Sequence, residues 1–178
     1  EEVSRIEKPV LRENLAYFLK AVVPEAEKLG LKMALHPDDP PFPVFGIPRI
    51  ASTYGDLKYI LDCIPSPSNG LTFCSGSLGA VSSNDLLKII RDFGPHIHFL
   101  HLRNVSREDD GKFYEAAHLD GSIPMPKLML EIVKEQWRRH ESGVGEVAIP
   151  IRPDHGHVLL DDKKRKDEFY SGYSLIGR

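Results

Sequence analysis

The sequence predicts an α/β fold of repeated strand and helix units. Short apolar strands alternate strictly with amphipathic helical stretches. The strands are apolar throughout rather than at every second position, the mark of parallel strands covered on both faces. Each strand also runs into a polar loop rich in turn-forming residues. Four such units in 178 residues are too few for a closed (β/α)8 barrel of the TIM type, which takes ~250 residues. The chain, 1–178, is therefore read as one partial domain, half of such a barrel. An open doubly wound sheet is the competing arrangement, because periodicity does not separate the two.

Residues 9–30 carry Leu11, Leu15, Phe18, Leu19, Val22 and Val23 at helical spacing, with Gly30 as a stop. Pro24 is expected to bend or split this helix. The run LKMALHPDDPP, residues 31–41, is a strand that climbs to His36 and is cut off by Pro37. Asp38 and Asp39 follow, then a loop stiffened by Pro40, Pro41 and Pro43 that lasts to about Thr53. Residues 54–64 read as a second helix, closed off by Pro65 and Pro67. Leu71, Thr72 and Phe73 run as a strand into Cys74, followed by the small-residue turn SGSLGA. Ser83 and Asn84 are candidate caps for the helix DLLKIIRDF, which Gly94 and Pro95 end. The third strand is HIHFLHLRN, residues 96–104; a long polar loop leads to a fourth helix from Pro126 to about His140. Residues 147–152 form the last strand, stopped by Pro153, and a charged tail rich in Gly and Tyr follows.

A net charge of −3 gives no electrostatic reason to expect nucleic acid or an anionic membrane as partner. An anionic substrate would have to be drawn by particular arginines. Two cysteines, Cys63 and Cys74, with no signal peptide and no apolar run of membrane-spanning length, point to a reducing, cytoplasmic setting.

At the carboxyl ends of the four strands stand His36, Cys74, His101 and Asp154. Imidazole, thiolate and carboxylate are all ligands for first-row transition metals, and a curled sheet brings one side chain per strand toward a common axis. Taken singly, each has an ordinary explanation: a satisfied polar histidine, a small buried thiol, a turn aspartate. Four at corresponding positions point to one shared divalent ion. Strand parity puts Ile97, Phe99, His101 and Arg103 on one face, so Arg103 lies one step beyond His101, where it could meet the negative end of a substrate. In RPDHGH, Arg152 and His155 flank Asp154. His155 would lie near the ion without binding it, a place for a general acid or base. In FYEAAHLDG, residues 113–121, Glu115 and His118 are either supporting groups or simple loop anchors. Tyr173 and Arg178, in SGYSLIGR, sit on a Gly-containing segment that could fold over the site or be an ordinary turn.

Taken together, HPDDPP, GLTFCSGSLGA, HFLHLRN, FYEAAHLDG and RPDHGH in this order resemble the mannonate dehydratase family. The resemblance covers nearly all of residues 9–178. It implies a (β/α)8 barrel of the xylose isomerase-like group, Mn²⁺ or Fe²⁺ as cofactor, and conversion of D-mannonate to 2-keto-3-deoxy-D-gluconate in cytoplasmic hexuronate breakdown. It assigns metal binding to His36, Cys74, His101 and Asp154, and acid–base roles to His155 and Tyr173. Arg103, Asn104, Arg152 and His118 are the substrate-binding candidates. Members are about twice this long, so the chain matches the C-terminal half-barrel, without the N-terminal half or a final helix. A bare half-barrel is expected to associate or stay partly unfolded, and a homo-oligomer is expected. The rival expectations are a sugar isomerase or epimerase of the same barrel group, and a non-catalytic fragment in which the four ligands hold Zn²⁺ structurally.

Overall fold

The computed structural model describes residues 6–143 and 147–154. Helix α1 (Lys8–Lys28) begins with a proline in its first turn and runs unbroken through Pro24. A proline inside a helix costs about 3 kcal/mol. Burial of Leu19, Val23 and Ala26 around it offsets that cost, at about 1.5–3 kcal/mol for a large aliphatic side chain. The apolar stripe is narrower than predicted, since Phe18 is half exposed.

Residues 31–36 are extended but make only one formal bridge, Leu35 to Leu71. Backbone bonds from Met33 N to the Ser68 carbonyl, Leu35 N to the Gly70 carbonyl and Thr72 N to the Leu35 carbonyl still lay the segment parallel to its neighbour. The loop beyond is fastened by Asp38, whose Oδ2 accepts from Ile50 N, Ala51 N and the Ser52 hydroxyl. Helix α2 (Tyr54–Cys63) is started by a capping box between Thr53 and Asp56.

Strand β1 (Leu71–Cys74) is buried at every position. The predicted turn after it is a short helix, α3 (Ser75–Gly79). Helix α4 (Leu86–Phe93) is capped by Asp85, one residue later than predicted; its side chain accepts from Lys88 N. Asn84 does something else: it accepts from Tyr54 N and donates to the Ser52 and Leu78 carbonyls, stitching three segments together. A 3₁₀ turn (Gly94–His96) leads to β2 (Ile97–His101).

The predicted long loop contains a hairpin, β3 (Val105–Arg107) and β4 (Phe113–Glu115), paired antiparallel. Asp110 and Gly111 stand at its turn, with Gly111 at φ +85, a signal of the kind that marks hairpins in sequence. Helix α5 (Met125–Ser142) follows, and its C-terminal residue Gly143 takes the left-handed conformation at φ 61. Strand β5 is only Ile151–Arg152.

β1 pairs in parallel with β2, and β2 with β5. With residues 31–36 beside β1, four parallel segments stand side by side in chain order. Helices carry the chain back between them, and one core joins Leu19, Leu57, Ile60, Phe73, Ile89, Leu100 and Leu128. The fold is therefore α/β, and all four strand ends point the same way.

Candidate metal centre

Register decides which side chains meet. Cys74 is the register partner of His101, and His101 that of Arg152, two residues before Asp154. His36 follows the Leu35 bridge directly. Pro37 and Pro153 end their strands just where the chain must turn. Asp154 holds φ 70, a left-handed conformation that aspartate tolerates better than most residues.

One ligand atom from each of His36, Cys74, His101 and Asp154 can be chosen so that all lie within 4.8 Å of one another. His36 Nε2 is 3.0 Å from His101 Nδ1. His101 Nδ1 is 3.6 Å from Asp154 Oδ1, and Cys74 Sγ is 4.0 Å from Asp154 Oδ2. Ligand bonds of ~2.0–2.3 Å would put adjacent donors roughly 3–3.5 Å apart and opposed ones somewhat over 4 Å. The four atoms have the spacing of a coordination shell.

The supporting contacts fit as well. His36 Nδ1 donates to the Pro37 carbonyl at 2.7 Å, leaving the Nε2 lone pair facing the cluster. Cys74 is fully buried, and its sulfur accepts from the Ser77 hydroxyl at 3.2 Å. Ser75 donates to the carbonyls of His101 and Arg103, tying the end of β1 to the end of β2. A thiolate and a carboxylate together would neutralise a divalent cation, and the mixed N, S and O set suits a first-row transition metal.

The family model described as D-mannonate dehydratase (UxuA) matches residues 1–178. The chain belongs to the D-mannonate dehydratase family. It is 50% identical over 167 residues to the mannonate dehydratase of Saccharophagus degradans, covering 94% of this chain and 42% of that protein. It is 48% identical over 178 residues to that of Chromohalobacter salexigens, covering 99% of this chain and 44% of the relative. The crystal structure of mannonate dehydratase from Streptococcus suis serotype 2 superposes with a TM-score of 0.77 at 36% identity, over 86% of this chain and 42% of that one. The chain thus spans less than half the length of these family members.

The other residues singled out in the sequence of this dehydratase-family chain fall into distinct settings. Arg103 is 4% exposed, and its guanidinium is engaged by two protein carboxylates. Nε donates to Glu115 Oε1 at 2.8 Å, Nη2 to the same oxygen, and Nη1 to Asp39. Burial alone would lower its pKa; Glu115 and Asp39 outweigh that and raise it. Asn104 is fully buried, and its amide is spent on the loop after β4: it donates to the His118 and Ile123 carbonyls and accepts from Ile123 N. Gly121 packs so tightly there that a Cβ would stand 2.2 Å from Asn104 Oδ1. His118 Nε2 donates to the Leu102 carbonyl at 2.8 Å. Arg152 is exposed, with Nη2 3.5 Å from the Asp154 carbonyl. His155 and Tyr173 lie outside the described residues. Sequence reasoning did not single out Asp39 or Ser77 as contacts of these groups; the only signal was a carboxylate in a proline-rich loop, and a serine three residues after Cys74.

Proposed function

We propose that the full-length protein dehydrates D-mannonate to 2-keto-3-deoxy-D-gluconate in hexuronate catabolism, with His36, Cys74, His101 and Asp154 holding one Mn²⁺ or Fe²⁺. The observation that carries this is the convergence of those four ligand atoms in a chain of the D-mannonate dehydratase family. A divalent ion held there would act as a Lewis acid toward the substrate carboxylate and its neighbouring hydroxyl.

The chain's own groups supply the rest. Arg152, exposed beside Asp154, is the described cation that we assign to hold the substrate carboxylate. Arg103, Asn104 and His118 shape the wall of the site through the loops they hold. His155 and Tyr173 form the proton-transfer pair: one removes the C2 proton and the other protonates the departing C3 hydroxyl, so that water leaves. The parallel segments in chain order support a half-barrel of the (β/α)8 type, since a doubly wound sheet would reverse its strand order at the switch point. A single partial barrel domain over 1–178, a cytoplasmic setting and a homo-oligomer belong to the same proposal. Both cysteines are free thiols, and no described helix is long and apolar enough to cross a membrane.

The test is product analysis with the full-length protein, D-mannonate and Mn²⁺. The expected product is a 2-keto-3-deoxy acid lighter than substrate by one water. A product of unchanged mass would make the protein an isomerase or epimerase instead. His155→Ala should cost about a hundredfold or more in turnover; a loss under about threefold would remove His155 from the proton transfer.

A further inference from the structure

Three loops meet on one side chain beside the candidate centre. Arg103 lies two residues beyond His101, at the exit of β2. Its Nη1 holds Asp39, three residues beyond His36, and its Nε and Nη2 hold Glu115 on β4. Two nitrogens on one Glu115 oxygen fix the plane of the guanidinium, which a point charge such as a lysine ammonium would not do. Phe113 lies under the guanidinium at 5.8 Å, and Phe42 of the proline-rich loop meets Phe113 edge-on at 6.1 Å. The stem of Arg103 passes over Gly76 of α3, where a Cβ would stand 2.5 Å from Arg103 Cδ. Among the described residues two carboxylates take up the guanidinium, so Arg103 does not offer its positive charge to an anion.

We propose that Arg103 is a positioning residue: through Asp39 it sets the separation of His36 from His101 and so the affinity of the site for a divalent ion. This rests on those residues holding an ion. The alternative route to His36 is its own segment, residues 31–36, which one formal bridge and the backbone bonds of Met33, Leu35 and Thr72 join to the chain beside it, with no described strand on its other side. Asp38 fastens the loop beyond His36 to residues 50–52, whereas the Asp39–Arg103 pair joins that loop directly to the end of the strand that carries His101. Metal-site partners of this kind typically change affinity by about 10–100-fold when removed.

The experiment is Co²⁺ titration of the metal-free full-length protein, read by the thiolate-to-cobalt charge-transfer band that reports Cys74 as a ligand. Asp39→Asn is the principal variant, because that side chain is 30% exposed and its change leaves the core intact. Arg103→Lys is the second. Each should weaken Co²⁺ binding about tenfold while the charge-transfer band survives at saturation. In a His36→Ala background the same Asp39→Asn change should cost less than about twofold, because the strap acts through His36. Equal losses in both backgrounds, or a loss under about twofold in Asp39→Asn itself, would overturn the positioning role. A wild-type protein that binds no Co²⁺ would overturn the metal reading and this proposal with it, and the two failures differ in which protein shows them.

Discussion

Asp56 is a buried carboxylate with donors on both oxygens, away from the candidate centre, and its replacement by Asn makes a quantitative prediction. Oδ1 accepts from Lys8 Nζ at 2.7 Å and Arg12 Nη2 at 2.5 Å. Oδ2 accepts from Thr53 N, Thr53 Oγ1 and Ser52 N. Donors therefore face both oxygens, so whichever way an asparagine is turned its NH₂ meets N–H or O–H groups. The side chain is 1% exposed, whereas Lys8 and Arg12 are 40% and 32% exposed and can turn back to water. The buried acceptor loses two charge-assisted bonds at about 1.5–3 kcal/mol each, discounted for those solvated cations, which leaves a net loss of about 2–3 kcal/mol. With a urea m-value of about 4 kcal/mol/M for a protein of that size, the midpoint of the metal-free full-length protein should fall by roughly 0.5–0.75 M. The pH dependence is a second check. Burial works to raise the Asp56 pKa, but Lys8, Arg12 and Thr53 together hold it below its ordinary 3.8. The unfolded chain therefore takes up this proton first, and the stabilisation is fully present above 3.8 and lost as pH falls through the lowered folded value. The gap between wild type and Asp56→Asn should be constant from about pH 7 to 5 and close below 3.8. A gap under about 0.5 kcal/mol at pH 7, or one that does not narrow at all as pH falls below 3.8, would refute the reasoning.

Two further outcomes follow from the site. Cys74→Ser should abolish the thiolate-to-cobalt band and weaken Co²⁺ binding by at least tenfold, with little change in the fold because the Ser77 hydroxyl keeps an acceptor; unchanged binding on titration would remove the sulfur from the centre. Asn104→Ala removes three hydrogen bonds at a fully buried amide and should cost about 3 kcal/mol in urea unfolding; an effect confined to KM, with stability unchanged, would instead make Asn104 a direct substrate contact.

What could be read in the sequence depended on whether the signal was local. His36, Cys74 and Asp154 were recognisable because each stands where a proline or a small-residue run ends a strand, and His101 because it falls near the end of an apolar strand run. Pro24 does not split α1, because its intrinsic cost of about 3 kcal/mol says nothing of the side chains that bury around it. Asp85 rather than Ser83 or Asn84 caps α4, since three adjacent residues with equal capping propensity are separated only by where their oxygens point. The β3–β4 hairpin was missed although Asp110–Gly111 marks its turn, because the flanking strands are only three residues each. Parity correctly placed Phe99 and His101 on one face, and their rings meet edge-on at 5.4 Å. Parity could not show that Arg103 would find Asp39 and Glu115 before any ligand.

The order of elements, the points where strands stop and the chemical types of the residues at those points are properties of local backbone preference, and the linear sequence determines them. Whether an imidazole at 36 and another at 101 come within 3.0 Å, and which carboxylates occupy Arg103, depends on strand register and on the packing of loops far apart in the chain. A shift of one residue in β-register would turn those side chains to the opposite face, so that choice belongs to the tertiary structure alone.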